Sequence, residues 1–173
     1  MRYELIDCGE VSQSTIEDFL AEFETNGEFC NALWKAHKLG VPEMLKDIKL
    51  TDASERHEDV LAFFVGDMMV GAARVTPHPN HFENGNIGYY IRPSCRGHRY
   101  GSVLLHLIED YCKEKNISSI VAMVELGNRA SEKSFMYAGW KFTGRVYDWE
   151  HRSSPRKALE FCPKHLEKPH ERW

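Results

Sequence analysis

The chain has no C-x-x-C pair, no apolar run long enough to span a bilayer and no excess of positive charge. Each absence removes a class of protein. Its five cysteines (Cys8, Cys30, Cys95, Cys112 and Cys162) are scattered and odd in number, which speaks for reduced thiols in an intracellular setting rather than a disulfide framework. No stretch approaches the roughly 18 apolar residues of a membrane helix. Met1-Arg2-Tyr3-Glu4 leads into no apolar segment of a secretory signal, so a cytoplasmic location is the expectation. With 22 Lys and Arg against 26 Asp and Glu, the net charge is −4. That is the wrong sign for a protein that grips nucleic acid by displacing counterions. Neither G-x-x-x-x-G-K-[ST] nor G-x-S-x-G occurs, which argues against an NTPase phosphate loop and a nucleophile elbow.

What remains is a globular mixture, 42% hydrophobic over 173 residues, the size of one domain. Tyr3-Glu4-Leu5-Ile6-Asp7 reads as a short strand. Ile16, Phe19, Leu20 and Phe23 then recur at helical spacing, with Ser14 and Glu17 spaced as a capping box. Asn31–Lys38 reads as a second short helix, followed by a loop at Gly40 and Pro42. From Asp59 the pattern changes. Val60–Val65 and Met68–Val75 are strands joined by a Gly66-Asp67 turn, and Thr76-Pro77-His78-Pro79-Asn80 reads as a loop. Further strands are expected at 86–92, 118–125, 140–149 and 156–162, with helices at 101–115 and 129–138. Residues 163–173 read as a polar tail. Hairpins followed by alternating strands and helices describe a mixed α+β sheet with helices packed on it.

The segment Arg92-Pro93-Ser94-Cys95-Arg96-Gly97-His98-Arg99-Tyr100-Gly101-Ser102 carries the most chemistry. It leaves a strand, turns on glycine and opens an amphipathic helix. The first amides of a helix have no partners within it and lie at the positive end of its dipole. Gly97 and Gly101 allow a ligand close to the backbone, and Arg92, Arg96 and Arg99 add positive charge. Such a turn suits a pyrophosphate.

Arg92-Pro93-x-x-Arg96-Gly97-x-x-x-Gly101 resembles the coenzyme loop of the GNAT N-acyltransferases. Downstream, Asn128-Arg129-Ala130-Ser131 and Ala138-Gly139-Trp140 resemble the superfamily's Asn-led helix and its glycine-aromatic strand entry. The resemblance covers residues 59–149. It implies a GNAT fold within a single domain over 1–173: a mostly antiparallel sheet of six to seven strands with a splayed parallel pair, flanked by about four helices. Residues 1–58 would then carry acceptor-side elements.

The same resemblance implies an acetyl-CoA-dependent N-acetyltransferase acting on a primary amine of a small molecule or peptide, by direct attack in a ternary complex, without a metal. The coenzyme arm would pair with backbone near Tyr90, Ile91 and Arg92. Arg96, Gly97, His98, Arg99, Tyr100, Gly101 and Ser102 would hold its phosphates. Asn128, Ser131 and Phe135 would face the pantetheine and the thiol. Many relatives also form dimers, so a homodimer is a further expectation, whereas neither nucleic acid nor membrane is an expected partner.

Two residues depart from the family pattern. Arg99 stands where glycine is usual, with strain as its cost if φ is positive there. Phe135 stands where many relatives have a tyrosine that protonates the departing thiolate. Ser131, one turn earlier, is the substitute donor. A base is needed for the ammonium proton, and Glu125 is the leading candidate, with Glu24, Glu28 and Glu83 behind it. Glu24, Glu28 and Tyr89 are candidates for the acceptor pocket. A degenerate acyl-CoA sensor or interaction module is the alternative, and a longer acyl donor a third option. His78, His81 and the Cys162-x-x-His165 pair lack the four matched ligands of a zinc site.

Overall fold

The structure, a computed structural model, describes residues 2–28, 59–80, 85–151 and 154–164. The expected helix at 31–38, the loop at Gly40 and Pro42, Glu83 and the tail beyond Lys164 lie outside them. The strands are β1 (Tyr3–Asp7), β2 (Asp59–Val65), β3 (Met68–Asn80), β4 (Gly85–Ile91), β5 (Ala122–Glu125), β6 (Trp140–His151) and β7 (Ser154–Pro163). Three α-helices are described: α1 (Gln13–Thr25), α2 (Tyr100–Glu114) and α3 (Arg129–Tyr137). Backbone hydrogen bonds order the strands β1-β2-β3-β4-β5-β7-β6. The β4–β5 pair is parallel; β1–β2, β2–β3, β5–β7 and β6–β7 are antiparallel. None of the described helices is long and apolar enough to cross a membrane.

The chain divides into two compact units, one built from residues up to Pro77 with Tyr89–Tyr100, the other from His78–Gly88 and the residues from Gly101 onward. In the first unit, α1 presents Ile16, Phe19, Leu20 and Phe23 to a core shared with Cys8, Val60, Ala62, Met69 and Ala72, with Tyr90 packed on its edge. Each buried aromatic or branched side chain of this kind contributes about 1.5–3 kcal/mol. The helix is capped two positions earlier than a Ser14–Glu17 box requires. Ser12 is the N-cap, and its hydroxyl accepts from the Thr15 amide at 3.3 Å.

Strand β3 runs through the prolines expected in a loop. Its ladder with β2 ends at Asp59↔Val75, so Pro77 and Pro79 fall beyond it. Spaced by two, they lack N–H groups on one edge of the strand only.

In the second unit, Phe135 of α3, Trp140 of β6 and Phe161 of β7 form an aromatic core, with ring centroids 5.0 and 5.3 Å from Phe135. Trp140 donates its indole N–H to the buried Glu109 carboxylate of α2. The strand expected at 118–125 is ordered as strand only from Ala122. Before it, the Val121 carbonyl accepts from the Asn86 and Ile87 amides at 2.9 and 3.2 Å, and the buried Asn86 side chain adds to this pairing. Its amide donates to the Ser119 carbonyl at 2.6 Å, and its carbonyl accepts from the Val121 amide at 2.7 Å. Of the five cysteines, Cys8, Cys95, Cys112 and Cys162 are described, and all are buried free thiols.

Candidate active site

The parallel ladder between β4 and β5 is short. It pairs Gly85 and Ile87 with Ala122, and Tyr89–Ile91 lie past its end. Strand alternation sends Tyr89 and Tyr90 to opposite faces. Tyr90 goes to the α1 face, its ring edge-on to Phe23 with centroids 6.4 Å apart. Tyr89 therefore lies on the other face of β4 from α1.

After Ile91 the chain makes a turn of 3-10 helix at Pro93–Cys95, then Arg96-Gly97-His98-Arg99 lead into α2. Gly97 has φ +84°, and an added Cβ there meets nothing within 4 Å; the demand for glycine is conformational. Arg99 also takes the left-handed region, at φ 62°. This bears on the helix that follows. Ser12 and Asn128 cap α1 and α3 with side-chain oxygens. Arg99, the residue ahead of α2, carries five donors and no acceptor, so its side chain cannot cap amides. The opening turn of α2 thus combines a positive dipole end, an uncapping cation and a glycine at Gly101. His98 stacks on Tyr100 with centroids 5.7 Å apart. Its Nδ1 lies 3.0 Å from the Arg96 carbonyl, to which it donates.

Arg92 and Arg96 have other partners than a phosphate. Arg92 is buried, with two nitrogens 2.7 Å from Asp18 and 3.1 Å from Glu22 of α1, and its guanidinium sits 5.6 Å from the Phe19 ring centroid. Its backbone N–H donates to the Val70 carbonyl at 2.9 Å. It anchors α1 to the end of β4, which corrects the expectation that it lends charge or backbone to the coenzyme turn. Glu22 also accepts from the amide and hydroxyl of Ser94. Burial pushes the Glu22 carboxyl up, but the Ser94 hydrogen bonds and the Arg92 charge outweigh it and hold it below the usual range. Asp18 and Glu22 were not singled out from the sequence; their spacing of one helical turn is the signal that could have found them.

Arg96 is the half-exposed cation of the turn. Its terminal nitrogens reach both oxygens of Glu28, at 2.7 and 2.5 Å, while Nε donates to the Ile91 carbonyl at 3.1 Å. The bidentate Arg96 hydrogen bonds hold the Glu28 carboxyl below its ordinary value. Glu28 is therefore an ion-pair partner of the turn, and Glu24 lies exposed on α1.

In the second unit, Glu125 ends β5, half-buried, and its carbonyl accepts from the Asn128 amide at 2.9 Å. Asn128 Oδ1 accepts from the Ser131 amide at 3.2 Å, which leaves the Asn128 NH₂ group as a donor. Ser131 is half-buried on the first turn of α3. Phe135 is 3% exposed between Trp140 and Phe161, so it is a core residue and does not line an open thiol site. Tyr137 is 61% exposed. No group of three or more His, Cys, Asp or Glu suited to a metal occurs among the described residues.

The model of the acetyltransferase (GNAT) family matches residues 20–140, and the chain belongs to that family. Its architecture is shared with solved acetyltransferases of low sequence identity. One, from Salmonella typhimurium, modifies the N-terminal serine of the 50S ribosomal protein L7/L12. It is 13% identical, with a TM-score of 0.67 and 92% of each chain covered. Mycobacterium smegmatis RimJ, solved with a CoA-disulfide, is 15% identical with a TM-score of 0.65, over 92% of this chain and 80% of RimJ. Campylobacter jejuni PseH, an N-acetyltransferase solved with acetyl coenzyme A, is 18% identical with a TM-score of 0.59, over 92% and 97%. No curated protein matches at the sequence level.

Proposed function

We propose that this protein transfers an acetyl group from acetyl-CoA to the primary amine of a small molecule or peptide, with both reactants bound together. The observation that carries the reading is the opening turn of α2, where Gly97 and Arg99 take left-handed conformations and the residue ahead of the helix is a cation that cannot cap it. Amides so presented suit the linked phosphates of a coenzyme, and relatives of the same fold are solved with CoA or acetyl-CoA bound.

In the transfer the amine nitrogen forms a bond to the thioester carbonyl carbon, the carbon–sulfur bond breaks, and the proton lost by the amine balances the thiolate released. The chain's own groups fit the remaining tasks. The backbone of Tyr90 and Ile91 is the segment assigned to the coenzyme arm, and an amide there is assigned as donor to the carbonyl oxygen. The Asn128 NH₂ donates toward the arm, and Ser131 is the hydroxyl assigned to the departing sulfur. Glu125 is the assigned base. A thiol, with a pKa near 8–9, leaves without strong acid assistance, so a phenylalanine at position 135 is compatible with turnover. Arg96 turns from Glu28 to the phosphates when the coenzyme enters.

Calorimetry with CoA tests the reading. A one-to-one isotherm is expected, with affinity about tenfold weaker in Arg96→Ala, the scale of one charge-assisted hydrogen bond. Absence of binding by the wild-type chain would overturn it. The second reading, an acyl-CoA sensor, is favoured by the buried, proton-free Phe135. Thiol release from acetyl-CoA with an amine panel separates the two, since a sensor binds and releases nothing.

A further inference from the structure

Alternate residues of the segment that leaves β4 are tied to α1 and its end. Arg92 meets Asp18 and Glu22, Ser94 meets Glu22, and Arg96 meets Glu28. All of them lie in the first compact unit. The first contacts fasten the helix; the last engages a residue that the proposed chemistry needs elsewhere. Glu28 is held in place by the end of α1. Its amide donates to the Phe23 carbonyl at 2.8 Å, the Gly27 amide donates to the Glu24 carbonyl at 3.0 Å, and Gly27 takes φ +68°. That is a Schellman closure, and it fixes the backbone from which the Glu28 carboxylate projects. The Asn26 side-chain amide also donates to that carboxylate.

The Arg96 side chain is half-exposed and reaches over Phe23, its guanidinium carbon 5.8 Å from the ring centroid. Its terminal nitrogens are committed to Glu28 and its Nε to the Ile91 carbonyl. The direction of that carbonyl follows from the peptide it shares with the Arg92 N–H. The peptide is trans, so the two groups point opposite ways. The Arg92 N–H donates to Val70 of β3, and the Ile91 carbonyl therefore points to the other edge of β4. Arg96 thus lies on backbone assigned to the coenzyme arm, while the Glu28 carboxylate cancels the charge assigned to the phosphates. An anion approaching the turn meets a closed, forked ion pair in place of a free guanidinium.

We infer that Glu28 is an autoinhibitory latch on the coenzyme turn: in the free chain it holds Arg96 against the Ile91 carbonyl, and coenzyme binding has to open the pair. This rests on the transferase reading and adds a control to the same site. Glu28 acts through Arg96, so it sets coenzyme affinity without touching the coenzyme.

The test is CoA calorimetry on four full-length chains: wild type, Glu28→Gln, Arg96→Ala and the double variant. Glu28→Gln is isosteric at a half-exposed position, so its melting temperature should change little. It is expected to bind CoA about three- to fivefold more tightly than the wild type, the scale of a half-exposed ion pair. In the Arg96→Ala background the same change is expected to do nothing, because the latch has lost its other half. Equal or weaker affinity in Glu28→Gln overturns the inference and leaves the transferase reading standing. Equal tightening in both backgrounds also overturns it, since the effect would then be the general repulsion of an anion by a nearby carboxylate. Tightened binding that depends on Arg96, with no thiol released from acetyl-CoA by any amine, would sink the transferase reading and keep the latch. CoA binding by neither the wild type nor Glu28→Gln overturns both.

Discussion

Arg99 shows most sharply what a single position does here. Only two described residues other than glycine have positive φ, Arg99 and Asn116. Asparagine tolerates that region, following the end of α2; arginine carries roughly 1 kcal/mol of strain for it. Arg99→Gly relieves the strain but loosens the unfolded chain by a similar amount, so melting should move by no more than a few degrees. The same change removes a guanidinium from the coenzyme turn, and calorimetry should show CoA affinity falling about tenfold. An unchanged affinity would assign Arg99 a purely conformational part. Gly97, Gly101 and the arginines were visible as a motif because a loop of this kind is local in sequence. Arg92 and Phe135 were misplaced because their settings depend on distant partners: Asp18 and Glu22 on α1 for the first, Trp140 and Phe161 for the second.

Among the elements, β3 and β4 meet most tightly at Gly71. A Cβ built there approaches the Tyr90 carbonyl oxygen to 2.8 Å and side chains of Ile91 and Phe63 to 3.1 and 3.2 Å. Gly71→Ala is therefore expected to destabilise the fold by about 1–3 kcal/mol, as overpacking does. It should also displace the Tyr90–Ile91 backbone, so denaturant titration and CoA calorimetry should both register it. Helices and strands themselves were readable, α1 and α2 because each buries one regular stripe, and the β2–β3 hairpin because two nearly continuous apolar runs, buried on consecutive residues, flank a Gly66-Asp67 turn. Two stretches were not. Residues 76–80 look like a loop because proline usually ends strands, yet they lie beyond the β2 ladder. Residues 118–121 look like strand because Ile120 and Val121 run into the apolar Ala122–Val124, yet the Asn86 side chain shares the pairing there with the backbone.

For the molecule as a whole, acid is the informative perturbation. The folded-state carboxyls of Glu22 and Glu28 are held below their ordinary range, the first by Ser94 and Arg92 against the pull of burial, the second by Arg96. A depressed carboxyl contributes stability that is complete above its unfolded value and is lost as pH falls through the folded one. Stability should thus be level near neutrality and decline below about pH 4.5, where unfolded carboxylates begin to take protons. Glu22→Gln should lower stability at pH 7 and flatten the decline, in urea titrations across pH 3–7. An equally steep decline in the variant would place the acid sensitivity elsewhere.

The enclosed sulfurs offer a separate readout. Cys8 and Cys95 belong to one compact unit, Cys112 and Cys162 to the other, and each is at most 6% exposed. An alkylating reagent reaches a thiol only when its surroundings part, so the rate of modification at each position times the opening of that half of the chain. Peptide mapping after timed exposure would then tell whether the halves breathe together or apart, with no label added to the protein.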